Sequence, residues 1–239
     1  MRVLATDLDG TFLGGSPESR ARLTGFFRDH PERTLLYVTG RSARSVTQLV
    51  TDGVLPRPDA MICDVGSYVA HADGSPYEGP LLADIRARWG ERSEAVKAAF
   101  ATIDGLRLQD AFGPYRVSYY FDAPEMLPLA LEIADALGCD GLVSDNKYFD
   151  VLPKGVNKGS TLSRLLTEWG VRQDEVLVAG DTLNDLAMLA SGLPAVVVGN
   201  AEPALLAQLP PSDRIVRASQ HGTDGIVEAL HFHKVDLNV

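Results

Sequence analysis

The sequence predicts an α/β protein: a doubly wound parallel sheet with a second, α+β unit inserted into it. Short, apolar, β-branched runs alternate with helical patterns at both ends of the chain, as in a parallel sheet covered on both faces. Between them lies a block of polarity-alternating strands, turns and two helical stretches.

In chain order, RVLATD reads as a buried strand and Glu18 to Asp29 as a helix. TLLYVTG is the next strand and Ser42 to Thr51 its helix. DAMICDVGS follows, then YVAHADGSPYE, with hairpin character at Asp73-Gly74. Leu82 to Ile103 has the pattern of a long helix interrupted at Gly90. LRLQDA and YRVSYYFD read as antiparallel strands, Pro124 to Leu137 as a helix, and GLVSDNKYFDVLP as a hairpin turning near Asp145-Asn146. Alternation then resumes: EVLVAGD, a helix over Leu183 to Ala190, PAVVVGN, a helix over Pro203 to Gln208, DRIVRA and a helix over Gly225 to His233. The expected division is a core at 1–79 and 155–239 and an inserted unit at 80–154, with hinges near Gly79-Pro80 and Pro153-Lys154-Gly155.

The 239 residues suffice for a sizeable core, and 45% hydrophobic with 23% charged residues is an ordinary globular composition. A net charge of −10 without a basic tract argues against nucleic acid or anionic membrane as partner. It still admits an anionic small molecule, because a bound metal supplies local positive charge. No apolar run approaches the roughly 20 residues of a membrane span, and the start lacks signal-peptide character. Cys63 and Cys139 read as buried free thiols, so a cytoplasmic protein is expected, as a monomer or small homo-oligomer.

Four short motifs carry chemistry. TDLDGT sets Asp7 and Asp9 one residue apart after a strand, with Gly10 for a sharp turn and Thr11 as a hydrogen-bond donor. An Asp-rich capping turn would also explain it. VTGRS offers the Thr39 hydroxyl and a close approach at Gly40, or simply a strand-to-helix turn capped by Ser42. GVNKGS puts Lys158 in a helix's first turn, where the dipole disfavours a cation. That mismatch favours a lysine aimed at a phosphate or a crowded carboxylate over a solvated one. VAGDTLNDLAML places Asp181 at a strand tip, with Asn184 and Asp185 in the next turn. A parallel sheet gathers all four motifs at the carboxyl edge of its strands. The carboxylates of Asp7, Asp181 and Asp185 suit Mg²⁺, which takes oxygen ligands at about 2.0–2.1 Å. The cation would screen the aspartates from one another and from an incoming phosphate.

In this order the motifs resemble those of the haloacid dehalogenase superfamily of phosphotransferases: DLDGT, VTGRS, NKGS and GDTLND. The resemblance implies that Asp7 is a nucleophile forming an aspartyl-phosphate and Asp9 the general acid–base. It implies that Thr39, Gly40, Lys158 and Asn184 hold phosphate. It also implies Mg²⁺ on Asp7, the Asp9 backbone carbonyl and Asp181, with Asp185 in support. The superfamily's transport ATPases carry Thr where this chain has Asp9, so hydrolysis or phosphomutation is expected.

An insertion between the second and third motifs resembles the C2-capped branch, of the Cof and sucrose-phosphate phosphatase kind. DVGSYV, RVSYYFD, FDVLPKGVNKG and GNAEPAL look most like the sucrose-phosphate phosphatase group. The implied activity is hydrolysis of a small phosphorylated sugar, a disaccharide or glycoside phosphate. The alternatives are a hexose-phosphate mutase using the same aspartyl-phosphate and a broad-specificity Cof-type sugar or nucleotide phosphatase. A retired scaffold is disfavoured, because every expected catalytic residue is present.

Candidate substrate contacts are Arg41 at a helix start, Tyr119 on a strand of the inserted unit, and Ser144, Asn146 and Lys147 on its hairpin. Tyr119 and Tyr120 alternate, so one should face the cleft. Lys147 falls where sucrose-phosphate phosphatases carry a lysine in a similar stretch; a solvated turn is the other reading. His221 either reaches substrate or only leads into the last helix.

Overall fold

A computed structural model of the chain describes residues 1–110, 113–233, 235 and 237. The first strand, β1 (Val3–Thr6), is wholly buried at the centre of a seven-stranded sheet. Its alternate residues serve different cores. Leu4 joins Phe12, Phe26, Tyr37 and Ile226 on one face, while Val3 and Ala5 join Ile62, Leu162 and Val178 on the other. A strand with helices on both faces must be apolar at every position, and this one is.

The other strands of the sheet are β2 (Thr34–Val38), β3 (Ala60–Cys63), β4 (Tyr68–Ala70), β9 (Val176–Gly180), β10 (Ala195–Val197) and β11 (Ile215–Arg217). Their order is β11-β10-β9-β1-β2-β3-β4, parallel except for β4, which runs antiparallel on β3 at one edge. The chain turns after β4 as expected: Gly74 N–H donates to the His71 carbonyl, and Ala70 bridges to Pro76. Val3 of β1 stands opposite both Thr34 and Val176, so β2 and β9 end level with β1 and deliver their following loops to the same edge.

Helices α1 (Pro17–Asp29), α2 (Ala43–Thr51) and α9 (Gly222–Phe232) cover one face. The other face is covered by α3 (Pro80–Trp89), α6 (Lys158–Glu168), α7 (Leu186–Leu189) and α8 (Pro203–Gln208).

A second, four-stranded antiparallel sheet has the order β5-β6-β8-β7, from β5 (Leu106–Leu108), β6 (Val117–Phe121), β7 (Cys139–Ser144) and β8 (Tyr148–Pro153). The strand expected over LRLQDA is shorter than its apolar pattern, and Ala111 lies outside the described residues. Helices α4 (Arg92–Phe100) and α5 (Leu127–Ala136) pack on one face of this sheet, over Val117, Tyr119, Phe149 and Val151. The long helix expected over Leu82 to Ile103 is two helices, broken where Gly90 takes a φ of 56°. α3 serves two cores: Leu81 and Ile85 lie with the main sheet, and Trp89 with the second. The last helix starts three residues earlier than its apolar pattern, with His221 at its N-cap. No helix among the described residues is long and apolar enough to cross a membrane.

Candidate active site

The loop after β1 begins at Asp7, whose N–H donates to Ala179 of β9 and so extends the sheet by one rung. Gly10 takes a φ of 75°, and a Cβ there would lie 2.1 Å from Asp181 Oδ2. No other residue fits so close to that carboxylate. Thr11 Oγ1 donates to Asp181 Oδ1 at 2.6 Å. Asp185 Oδ2 accepts from the backbone N–H groups of Asp181 and Thr182, at 3.0 and 3.1 Å, which fixes the turn after β9.

Lys158 opens α6, whose N-cap Asn157 exchanges hydrogen bonds with Ser160. Its side chain is fully buried, and Nζ donates to Asp7 Oδ1 and Asp185 Oδ1, both at 2.6 Å. These two carboxylates offset the unfavourable placement of a cation at a helix N-terminus. Burial alone would lower the Lys158 pKa, but Asp185 and Asp7 hold it above its ordinary value. Burial pushes Asp7 well above the usual carboxylate range, against the pull of Lys158. Asp181 is pushed up to about 7 by burial and then by the charge of Asp185.

Oxygen atoms of Asp7, Asp181 and Asp185 lie within 4.8 Å of one another, all buried. Three carboxylates against one ammonium leave a formal charge of −2. The donor set is all oxygen, and its surplus charge matches a hard divalent cation.

The loop after β2 is Thr39-Gly40-Arg41, and its three successive carbonyls are all engaged. Thr39 O accepts from Val65 N–H at 3.1 Å and Arg41 O from Asp64 N–H at 2.9 Å. Gly40 O accepts from Arg116 Nη1 at 3.0 Å. Asp64 and Val65 both take left-handed φ values, 52° and 58°. For a β-branched residue this is a true outlier, costing about 1–3 kcal/mol. Thr39 is fully buried, and its hydroxyl accepts from Arg41 N–H. Arg41 binds Asp9 in a fork, at 2.8 and 2.6 Å.

Between the two sheets lies a cavity of about 590 Å³. From the main sheet it takes Asp7, Asp9, Gly40, Arg41 and Asn184 among its walls; from the second sheet, Gln109, Arg116, Tyr120, Ser144, Tyr148 and Asp150. Thr39, Lys158, Asp181 and Asp185 are buried behind this wall rather than in it.

Of the expected substrate contacts, Arg41 and Ser144 line the cavity and three others do not. Tyr119 points to the opposite face of β6 and stacks on Phe100 with ring centroids 5.2 Å apart. Its neighbour Tyr120 faces the cavity instead. Asn146 and Lys147 are exposed at the hairpin tip. Lys147 Nζ sits 5.2 Å from the Tyr148 ring centroid and 5.7 Å from that of Tyr120. His221 does not line the cavity.

Two residues that sequence reasoning passed over bond to this edge, Arg116 from the second sheet. Asn200 Nδ2 donates to Gly10 O and Asp181 Oδ2, and its Oδ1 accepts from Gly222 N–H. Its signal was the one used for the other motifs, a polar residue just after an apolar strand. Arg116 had no comparable signal, since a charged residue heading a strand is usually solvated.

A family described as sucrose-6F-phosphate phosphohydrolase matches residues 1–234. The chain is 44% identical over 234 residues to a glucosylglycerol-phosphate synthase of Pseudomonas anguilliseptica, covering 96% of this chain and 30% of that protein. It is 29% identical over 239 residues to a mannosylfructose-phosphate phosphatase of Agrobacterium fabrum, covering 96% of each. The chain thus spans under a third of the synthase and nearly all of that phosphatase. A solved structure of the sucrose-phosphatase of Synechocystis, in complex with sucrose and phosphate, matches with a TM-score of 0.86 at 26% identity, over 98% of this chain and 99% of that one.

Proposed function

The chain belongs to the sucrose-6F-phosphate phosphohydrolase family, within the haloacid dehalogenase superfamily, and from this we infer a phosphatase that works through Asp7 on a phosphorylated glycoside. The observation that carries the proposal is the cluster of Asp7, Asp181, Asp185 and Lys158 at one sheet edge, beneath a cavity roofed by a second sheet. The Asp7 carboxylate attacks phosphorus, and the bond to the sugar oxygen breaks. Asp9 gives its proton to the departing oxygen and then takes one from the water that cleaves the aspartyl-phosphate. Inorganic phosphate leaves and Asp7 is restored. Arg41 grips both Asp9 oxygens in the free chain and must release one of them for Asp9 to carry the proton it donates. Gly40 and Asn184, with Lys158 behind them, hold the phosphoryl oxygens, and Thr39 shapes the loop. Mg²⁺, held by Asp7, the Asp9 carbonyl and Asp181 with Asp185 in support, would neutralise charge between nucleophile and phosphate.

Family membership favours hydrolysis over phosphomutation. The relatives named above handle glucosylglycerol, mannosylfructose or sucrose phosphates, each a hexosyl glycoside, and a phosphorylated hexosyl glycoside is the proposed substrate class here. A cavity of about 590 Å³ is within the range of small-molecule sites, about 300–1,000 Å³. Two tyrosines and several polar side chains among its walls suit a sugar. Two buried free cysteines accord with a cytoplasmic setting. Phosphate release from a panel of sugar phosphates tests the proposal, with p-nitrophenyl phosphate as a generic control. Turnover of the control with no glycoside phosphate accepted would remove the substrate assignment.

Mg²⁺ is expected to raise Tm, and more at about pH 8 than at about pH 5.5. Asp181 sits near 7 without the cation, so at lower pH the metal must displace a proton. Thermal shift at the two pH values checks this; equal shifts would remove Asp181 from the ligand set. Excess chelator should stop phosphate release from every ester.

Tyr120 and Tyr148 pair across β6 and β8, ring centroids 5.7 Å apart, at the cavity wall. Tyr120→Ala is expected to raise KM for a glycoside phosphate about fivefold, from the loss of about 1 kcal/mol of ring packing. Lys147→Ala should act in the same direction but less, because Lys147 supports the rings from outside the cavity. Neither change should alter p-nitrophenyl phosphate kinetics. Steady-state kinetics on both substrates decides, and parallel losses would mean that the rings do not read the sugar.

A further inference from the structure

Arg116 immediately precedes β6 of the second sheet, yet its side chain is only 7% exposed. Nη2 lies 3.0 Å from Asp64 Oδ1, on the turn after β3, and Nη1 lies 3.4 Å from Asp150 Oδ1 on β8. The same Nη1 donates to Gly40 O. Both acids are buried, and Asp64 Oδ1 also accepts from Gly113 N–H at 2.9 Å. A buried trio of charges is a poor way to gain stability, because desolvation cancels much of the attraction. Arg116 Nε and Asp64 Oδ2 are also buried with no partner among the described residues. The arrangement is therefore not optimised as glue, and its position explains it better. Of the three carbonyls that set the Thr39–Arg41 loop, two are held by the Asp64-Val65 turn and one by Arg116.

We propose that Arg116 is a positioning residue that couples the sugar-facing sheet to the phosphate-holding loop by fixing the Gly40 carbonyl. The coupling rests on the assignment of that loop to phosphate given above. The physical path is short. Tyr120 at the cavity lies on β6, which Arg116 immediately precedes, and Ser118 between them donates to Asp150. A glycoside seated against the Tyr120–Tyr148 pair steadies this sheet. The steadied sheet keeps Arg116 on Gly40 O, and the Gly40-Arg41 peptide is held for the phosphate. The left-handed Asp64-Val65 turn stays in place because Arg116 and Gly113 hold the Asp64 carboxylate from the other side.

The test uses the full chain with Mg²⁺ and inorganic phosphate as probe. Arg116→Gln is expected to weaken phosphate binding about tenfold and to lower p-nitrophenyl phosphate turnover by a similar factor. Arg116→Lys should recover part of both. Amide exchange should quicken at residues 39–42 and 64–65 of Arg116→Gln and stay unchanged in α1 and α9. If only KM for the sugar phosphate rises, Arg116 is a sugar contact and the coupling is wrong. Phosphate affinity unchanged in a folded variant, or faster exchange throughout the chain, also overturns it. Should Arg116→Gln fail to fold, Asp150→Asn decides: a two- to threefold loss of phosphate affinity is expected, and none overturns the coupling. If the wild-type chain binds no phosphate, the loop's assignment fails, while exchange at residues 39–42 still scores whether Arg116 holds the loop.

Discussion

Asp7→Asn is expected to abolish phosphate release while leaving the fold intact. An amide oxygen is a far weaker nucleophile than a carboxylate, and the change also takes one oxygen ligand from the proposed metal site. Loss of a nucleophile of this kind costs at least about 10⁴-fold in turnover. The fold should tolerate it, because burial already disfavours the charged form of Asp7, and a neutral amide of the same shape escapes that penalty. Lys158 keeps its bond to Asp185. Single-turnover phosphate release and a thermal melt measure the two halves. A rate within tenfold of wild type would take the nucleophile's role from Asp7.

Lys158→Met is expected to be the most destabilising single change at the site. The methionine leaves Asp7, Asp181 and Asp185 buried with no cation among them. Breaking a buried ion pair by removing one partner costs about 3–5 kcal/mol. In a chain of this size that lowers Tm by about 10 °C. The deficit should shrink as pH falls from about 8 to about 5, because carboxylates whose folded pKa lies above the unfolded value take up protons in the fold and the repulsion disappears. Their contribution to stability is fully present only below the unfolded value and is lost as pH rises from there through the raised pKa. Asp181, already near 7 with Lys158 present, locates that window. Melts of both proteins at the two pH values check the prediction. A Tm within about 2 °C of wild type at the higher pH would mean that Lys158 is a tolerated surface-type lysine.

The gathering of these residues at one sheet edge was legible in the sequence because it obeys a local rule. Asp7, Thr39, Asp181 and Asn184 each stand within a few residues of a strand's C-terminal end, and a parallel sheet collects such ends. Lys158 was legible for the opposite reason, as a cation where a helix dipole opposes one. The wall of the second sheet was not legible to the same degree. Alternation along YRVSYYFD says that Tyr119 and Tyr120 face opposite ways, but not which face the helices cover. That is set by α4 and α5 packing on Tyr119, a contact between distant segments. Arg116, Asp64 and Asp150 share no spacing or period, and their meeting depends on how the second sheet seats on the first.

The two-core packing of α3 bears on engineering. A chimera that exchanges the 80–154 segment with a relative's would transplant Leu81 and Ile85 as well, and these two side chains belong to the recipient's interior, beside Ile62, Val69, Leu162 and Leu165. A junction at residue 79 therefore carries a foreign patch into the recipient. A splice within α3, after Ile85 and before Trp89, leaves each hydrophobic surface with its native counterpart and moves only the half that carries the second sheet.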